Sequence, residues 1–454
     1  MNANMTRFLI LSIVAAIVVA TPANGTDISG DVWGVWSLDG SPYNMIGNCR
    51  VPPESTLLIE PGVRVEASPG CRMVVDSNAV FLAVGIESDS IIFTGVGDAH
   101  WRGIDFRNSD DSSRMKFCVI QSIVTENYHN GSIRITGCDI AIENCSIRNN
   151  ISFFSGGGLS FYNCNPRISQ CQIQRNVATC YIIGWDPGYG GGIYLENSDA
   201  IVERCIIVHN RTSGGTAVPS FGGGIYCTNS NPTIVNCTIA NNESQYNNPF
   251  VPPYHFWEPA GIYSDASNVT VVNSIIWGNR GSDLGNFGGG FEISYSDIGA
   301  VFPGAGNISI DPMFADTSIA DYHLLFGSPC IDSGDPDSPL DPDSTRADMG
   351  ALPFFHQTGF DDNEFLPRNF TLHQNYPNPF NARTTISFEL ACAGMVKLEI
   401  FDVTGARVAT LLRESLDAGH YDIIWDVADI SSGVFYCRLN IDGNYQSKRM
   451  VLLK

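Results

Sequence analysis

The sequence predicts an all-β protein in which a parallel β-helix, a solenoid of stacked coils, is followed by a small β-sandwich. Three observations predict this fold class. Five segments between residues 133 and 279 repeat with the same internal spacing. The repeats are rich in Gly, Asn and β-branched residues, which disfavour helix. After residue 370 the chain changes to short alternating stretches separated by turn signals, as in an antiparallel sandwich.

Each repeat has a rigid part and an elastic part. An apolar anchor is followed 12 residues later by Cys or Ser, then by Ile after two residues and by Asn after three more. The distance from that Asn to the next anchor varies, at 9, 17, 15 and 20 residues. A constant part and an elastic part indicate stacked coils whose loops leave at one corner. The anchors are Ile133, Leu159, Ile193, Ile225 and Ile262, and the Asn residues are Asn150, Asn176, Asn210, Asn242 and Asn279.

Stacking places equivalent side chains in columns, about 4.8 Å apart. One predicted internal column contains Cys118, Cys145, Cys171, Cys205 and Cys237. A second begins with Cys138 and Cys164 and continues as Ser198, Ser230 and Ser267. Because a disulfide needs a Cβ separation of about 3.8 Å, we expect the columns to be reduced. The exchange of Cys for Ser indicates that side-chain size matters more than sulfur chemistry.

The amino terminus predicts export. Arg7 precedes the apolar run FLILSIVAAIVVA, which is followed by TPANG, so residues 1–25 read as a signal peptide. No other apolar run approaches this length, so no transmembrane segment is expected in the mature chain. The net charge of −22 and the presence of only four Lys argue against a nucleic-acid partner.

Residues 30–355 resemble a known group, the right-handed parallel β-helix proteins of the pectate-lyase-like kind. The repeat GGGIYCTNSNPTIVNCTIANN (222–242) is similar to their surface-protein repeats, and residues 311–353 resemble the segment that commonly closes such solenoids. The resemblance implies a right-handed β-helix domain over residues 26–355, followed by a linker over 356–369. It says almost nothing about activity.

The carboxy-terminal stretch resembles a second family, the sorting domain of the type IX secretion system. NYPNPFN, the FDVTG turn with Gly405, and the ending KRMV carry this resemblance. It implies a domain over residues 370–454 with an Ig-like β-sandwich, the type IX secretion machinery as partner, and a secreted or cell-surface location. The sorting motif consists of Asn375, Tyr376, Pro377, Asn378, Pro379, Phe380 and Asn381.

The residues of the β-helix give little sign of catalysis. A glycoside hydrolase needs paired carboxylates. Asp110 and Asp111 are adjacent, however, so in a strand they would face opposite sides. A polysaccharide lyase needs a base beside a neutralised carboxylate, and the β-helix offers only Lys116 and arginines that look scattered. No catalytic residue, cofactor or metal site is expected. The acidic run 335–343 is interpreted as a solvated capping loop, with calcium as the alternative.

Two of the elastic loops are unusually aromatic. If they lie along one edge of the solenoid, their rings would suit stacking against sugars. The alternative is that the rings pack on one another or on the coil beneath. The sequence therefore predicts a secreted, non-catalytic protein that binds or scaffolds, adhesin-like and possibly glycan-binding; the runner-up is an extracellular polysaccharide lyase or glycoside hydrolase. The glycan-binding candidates are Tyr181, Trp185, Tyr189, Tyr254 and Trp257.

Overall fold

A computed structural model of the chain describes residues 25–97, 99–125, 131–179, 187–216, 219–247, 255–356, 370–390, 394–402, 407–427, 430, 432–441 and 444–453. The chain forms two compact units, one ending at Phe354 and the other beginning at Phe355. Nearly all of the predicted signal peptide and most of the predicted linker lie outside the described residues. Within those residues, no helix is long and apolar enough to cross a membrane.

The first unit is a parallel β-helix, which confirms the predicted fold class. A complete coil contributes one strand to each of three faces, named A, B and C in chain order, and one to a short edge D. In one coil these strands are Ile133–Thr136, Ala141–Glu143, Ser146–Arg148 and Ile151–Phe153. Each strand pairs in parallel with its equivalent in the next coil.

The faces are continuous along the solenoid. Face A contains Met73–Val75, Ile104–Arg107, Ile133–Thr136, Leu159–Tyr162, Ile193–Glu196, Ile225–Thr228, Pro259–Asp265 and Ser282–Phe287. Face B contains Gly34–Trp36, Thr56–Ile59, Val80–Val84, Arg114–Lys116, Ala141–Glu143, Arg167–Ser169, Ile201–Glu203, Thr233–Val235, Asn268–Val272 and Gly290–Ser294. Face C contains Arg64–Ala67, Ile91–Gly95, Cys118–Gln121, Ser146–Arg148, Gln172–Gln174, Ile206–Val208, Thr238–Ala240, Ile275–Trp277 and Asp297–Ile298. Edge D contains Val124–Thr125, Ile151–Phe153, Val177–Thr179, Arg211–Thr216, Glu243–Asn247 and His255–Trp257.

The entry coil joins two of these faces. The long strand Tyr43–Val51 pairs with the first strands of both face A and face C, and Thr26–Asp31 pairs with it in turn. A short 3-10 helix, Leu38–Gly40, precedes the long strand. At the other end, the hairpin of Phe314–Asp316 and Asp321–Leu324 encloses the 3-10 helix Thr317–Ile319.

The predicted register is confirmed on face A. The anchor Ile133 pairs with Leu159, and the same alignment continues through the anchors of the later coils. Their side chains are fully buried in one core that runs along the solenoid. Because the side-chain period of a strand is two, the residue next to each anchor in its strand faces outward, where the loops and the solvent lie.

The predicted cysteine column is present in the structure, and its hydrogen bonds explain why Ser replaces Cys in the later coils. The backbone N–H of Cys145 donates to Sγ of Cys171, 3.4 Å away in the next coil. The residue before each column position has a positive φ, so the chain turns there and the strand ladder is interrupted. A short side chain with an acceptor atom therefore satisfies a buried donor at every turn. The donors and acceptors follow the order Cys145, Cys171, Cys205, Cys237, Ser274 and Ser296.

The second column uses the same device on the other side of face B. The N–H of Cys164 donates to Oγ of Ser198 at 3.2 Å, and Ser198 and Ser230 each donate to the hydroxyl of the next coil at 2.9 Å. The described cysteines are all free and buried. Burial raises the pKa of the Cys164 thiol to about 12 and also raises that of Cys145, so both stay protonated and unreactive at neutral pH.

The Asn residues that end each repeat form a ladder inside the corner between face C and edge D. Nδ2 of Asn176 donates to Oδ1 of Asn210 at 3.0 Å and to the carbonyl of Ile147 at 2.8 Å. Its backbone N–H also donates to Asn210 Oδ1. The glycine triplets pack against this ladder, because a Cβ on Gly192 would lie 3.1 Å from Nδ2 of Asn210 and 2.6 Å from the carbonyl of Gly224. The GGG and Asn signals of the repeat thus serve one tightly packed turn.

The second unit is a small antiparallel β-sandwich, again as predicted. One sheet contains Phe370–Leu372, Arg383–Leu390 and Gly419–Asp426. The other contains Gly394–Asp402, Arg407–Leu416, Gly433–Ile441 and Asn444–Leu452. Alternating residues from both sheets, such as Phe388, Leu398 and Leu439, are fully buried between them.

The column geometry predicts different outcomes for two small substitutions at Cys171. Cys171→Ser keeps an acceptor for the N–H of Cys145, whereas Cys171→Ala leaves that buried donor unpaired at a cost of about 1–3 kcal/mol. We expect the Ala variant to unfold at clearly lower temperature and urea concentration than the Ser variant. Equal destabilisation by both substitutions would show that volume alone sets the choice of residue.

Candidate functional site

The structure describes only part of the predicted aromatic site. Tyr181, Trp185 and Tyr254 lie outside the described residues. Trp257 ends the strand His255–Trp257, and nothing is described of its side chain. Tyr189 is half-buried, and its ring lies 4.5 Å from that of Tyr226, measured between centroids. The one candidate ring that is described therefore packs on the coil beneath it, and glycan binding by the other four stays a prediction.

The surface beneath Tyr189 is a ladder of tyrosines on the outside of face A. Tyr194, Tyr226 and Tyr263 are paired in register, and consecutive rings lie 5.6 Å apart and nearly parallel. Tyr194 and Tyr226 are buried, because the loop residues Tyr189 and Phe221 cover this surface. Burial raises the pKa of both phenols. The ladder stabilises the loops on face A and leaves little ring surface for a ligand.

Four arginines lie on the outer side of face A, two to four coils before the ladder, around one buried carboxylate. Asp105, 2% exposed, accepts hydrogen bonds from Arg107 Nε at 2.7 Å and Nη2 at 2.5 Å. Arg72 Nη1 lies 3.9 Å from the same oxygen. Arg134 pairs opposite Asp105 in the strand register. We call Arg72, Arg102, Arg107 and Arg134, with Asp105, the arginine cluster.

The cluster concentrates positive charge at one place on the surface. Four guanidinium groups lie around the Asp105 carboxylate, in a chain whose net charge is −22. Burial lowers the pKa of Arg72, and the neighbouring Arg107, Arg102 and Arg134 lower it further, while Asp105 opposes the shift. Concentrated guanidinium groups of this kind bind carboxylate, sulfate or phosphate oxygens in a fork geometry. The cluster is therefore a candidate anion-binding site.

The expectation that the arginines are scattered was wrong for this cluster. In sequence Arg72, Arg102 and Arg134 are about 30 residues apart and carry no common motif. They meet because one coil of the solenoid separates them, so their strands are neighbours on face A. The early coils depart from the fixed spacing of the five regular repeats, so the sequence did not show that these arginines are neighbours.

A second basic surface lies at the corner between face C and edge D. It is a groove made of two cavities of about 300 and 440 Å³. His209 in this groove is committed to packing, because its Nε2 lies 3.1 Å from both the carbonyl of Thr317 and Oη of the buried Tyr322. These contacts attach the closing segment to the solenoid. The groove is lined by residues that include Arg175, His209, Arg211, Glu243 and Arg280.

The carboxylates that the sequence offers as catalytic or calcium-binding candidates accept hydrogen bonds from backbone N–H groups. Asp110 Oδ1 accepts the N–H of Ser112, which with the Ser112 hydroxyl lowers the pKa of Asp110, and Asp111 Oδ1 accepts the N–H of Asp139. Both are exposed turn residues in different hydrogen bonds. In the acidic run 335–343, Asp341 accepts the N–H of Asp348 at 2.7 Å. The pKa of Asp348 is raised to about 6 by burial. These contacts fit turn and capping roles.

The sorting motif closes the sandwich by joining its first segment to its last strand. The Asn378 side chain accepts the N–H of Val451 at 2.9 Å and donates to the carbonyl of Arg449 at 3.2 Å. Asn375, 2% exposed, donates to Thr384 Oγ1 at 2.8 Å. Phe380 is buried against Trp425. Tyr376, in contrast, is 82% exposed, although its backbone is fixed by bonds to Thr385.

Two family models match separate parts of the chain. The family model described as right handed beta helix region matches residues 88–302, and the one described as secretion system C-terminal sorting domain matches residues 374–453. A solved structure, the crystal structure of pectate lyase Pel9A, is similar at 13% identity and a TM-score of 0.28, over 72% of this chain and 97% of that chain. No curated protein matches the chain.

The sorting motif predicts a separation of folding from export. Tyr376→Ala removes an exposed ring and no described side-chain contact, so we expect unchanged thermal stability but reduced appearance of the protein outside the cell. Asn378→Ala removes the bonds to the last strand and should destabilise the sandwich by about 1–3 kcal/mol. Export by the native host and melting of the purified chain check both. Normal export of Tyr376→Ala would remove this ring from the recognition surface.

Proposed function

Because the chain joins a right-handed parallel β-helix to a secretion-system C-terminal sorting domain, we propose that it is an exported protein whose β-helix binds anionic polysaccharides without cleaving them. The sorting domain places the protein outside the cell, secreted or on the surface, with the type IX secretion machinery as its partner. The β-helix is then the part that meets the environment. Its ligand is inferred from the arginine cluster.

The observation that carries the proposal is the concentration of four guanidinium groups around Asp105. Uronic acids and sulfated sugars present carboxylates and sulfates at regular intervals, and the outer side of face A presents arginines from three successive coils. Arg107 has 48% of its side chain exposed, so it can reach a ligand while it orients Asp105. The negative charge of the rest of the chain disfavours non-specific anion binding, so the cluster stands out as a local attraction.

Binding is favoured over cleavage because the carboxylates considered for the acid and base roles are engaged in other contacts. Asp105 is held by Arg107 in the interior of the cluster. Asp110, Asp111 and Asp341 accept backbone N–H groups in turns. One observation favours a lyase as the second candidate: burial and the neighbouring arginines lower the pKa of Arg72, the direction that proton abstraction by a guanidine requires.

The aromatic loops remain part of the proposal. Of the five candidates, Tyr181, Trp185 and Tyr254 lie outside the described residues, Trp257 ends a strand of edge D, and Tyr189 packs on face A. Two neighbouring loop residues, Tyr189 and Phe221, fold over face A, the face that carries the arginine cluster. Rings from the same loops would supply sugar stacking beside the arginines. Tyr189 contributes through packing rather than by direct contact.

Removing single arginines from the cluster tests the proposal. We expect Arg107→Gln and Arg134→Gln each to weaken binding to polygalacturonate at least about tenfold, equivalent to about 1.4 kcal/mol, and to reduce the salt dependence of binding. Arg167→Gln is the matched control, since Arg167 lies on face B in an ion pair with Glu203 at 2.6 Å. Calorimetry measures the binding of each variant, and melting curves check that each variant is folded.

Two outcomes would contradict this proposal. Equal binding by the cluster variants and the Arg167 control would remove the cluster as the site. Growth of the ultraviolet absorbance of unsaturated uronates with the unaltered protein, abolished by Arg72→Ala, would replace binding by lyase activity.

The aromatic contribution has its own test. If these rings stack on sugars, Trp185→Ala and Trp257→Ala should each weaken retention on a glycan array while leaving the melting temperature nearly unchanged, because a ring that serves a ligand contributes little to packing. Phe221→Ala serves as the control for packing, since Phe221 stacks on Tyr263 at 4.3 Å. A large loss of thermal stability in either Trp variant would show that these rings are structural.

A further inference from the structure

Two histidines and a glutamate meet on the outer face of the three-stranded sheet of the sandwich. Glu389 and His420 are directly opposite each other on adjacent antiparallel strands. His373 follows the edge strand Phe370–Leu372 on the other side, and its N–H donates to the carbonyl of Ser387 at 2.9 Å. The alternate residues Leu372 and Phe388 point into the core, so these polar side chains share the solvent side.

The distances between their ligand atoms match those of a metal site. His373 Nε2 and His420 Nδ1 each lie 3.5 Å from Oε1 of Glu389. The three ligand atoms all lie within 4.8 Å of one another. Zinc bonds of about 2.0–2.2 Å at tetrahedral angles place two ligand atoms about 3.3–3.5 Å apart. Two of the three separations already have this value before any ion is considered.

A fourth residue orients the set. His420 Nε2 lies 3.3 Å from Oδ1 of Asp422, which places a carboxylate beside the ring nitrogen that faces away from Glu389. The Ser387 hydroxyl donates to the same carboxylate at 2.5 Å. A carboxylate beside Nε2 favours the tautomer with its proton on that nitrogen, which leaves the lone pair of Nδ1 directed toward Glu389. Carboxylate–histidine–metal arrangements use this same pairing.

We propose that His373, Glu389 and His420 bind a divalent transition-metal ion, Zn²⁺ by the chemistry of its ligands, with Asp422 as the positioning residue for His420. Two imidazoles and one carboxylate suit Zn²⁺, and a fourth position stays open to water or to a group from another molecule. The site lies in the unit that carries the sorting motif, and it is independent of the glycan proposal, which concerns the β-helix.

The test is titration of the full chain with ZnCl₂ at pH 7.5, followed by calorimetry. We expect one site, at least about tenfold weaker binding in His373→Ala and in His420→Gln, and a similar weakening in Asp422→Asn. His323→Ala is the matched control, because His323 is also exposed and lies 2.6 Å from the carboxylate of Asp321, without a second histidine. The variants and the control all keep every cysteine, so zinc bound by thiols would contribute equally to each of them and could not cause a difference in binding.

A second readout does not depend on any variant. Because the imidazoles must be neutral to bind the ion, the affinity of the unaltered protein should fall steeply between pH 7.5 and pH 5.5. Absence of a zinc site, equal binding by the His373, His420 and His323 variants, or affinity that does not change with pH would each overturn the proposal.

Discussion

The solenoid depends on satisfying the backbone N–H groups that the strand ladders leave unpaired at each turn. A parallel β-helix must turn its chain several times per coil, and the turning residue, such as Asn144 or Arg204, has a positive φ. The N–H that follows points into a dry interior. One acceptor atom on a short side chain, Sγ or Oγ in the two Cys and Ser columns and Oδ1 in the Asn ladder, meets it from the next coil. An unpaired donor at each turn would cost about 1–3 kcal/mol, repeated along the solenoid.

This constraint fixes the interior and leaves the exterior free to vary. Side chains that face outward need only tolerate the strand conformation, and the loops after edge D differ in length without disturbing the register. Face A therefore carries charged residues in its early coils and tyrosines in its later ones on the same framework. Arg134 connects the two regions, since its guanidinium lies 5.1 Å from the ring centre of Tyr162. Function on such a scaffold depends on which outward-facing side chains lie next to one another in successive coils.

The interior was predictable from the sequence because its physics is periodic. Cys145, Asn150 and their equivalents recur at fixed spacing, and the structure places them in the predicted columns. The arginine cluster was not predictable in the same way: Arg72 belongs to an early coil whose length departs from the repeat, so no spacing relates it to Arg134. His373 and His420 are farther still, 47 residues apart, and only the antiparallel order of the sandwich strands brings them together. The sorting motif was predictable in part: its sequence could be recognised, but nothing in that sequence indicated that Tyr376 is exposed.

The ladders of the β-helix have a direction. The backbone N–H donors of the columns bond to the coil that follows them in sequence, and the rows end on acceptors supplied by Asp283, beside Asn279, and by Asn307, beside Ser296. A coil without its successor would leave these backbone donors unpaired, whereas the earlier coils are satisfied by the coils that follow them. The carboxy-terminal end of the solenoid is therefore the end that needs a cap, and Asp283 and Asn307 supply its last acceptors. A substitution at either cap would expose a backbone donor that no later coil can satisfy.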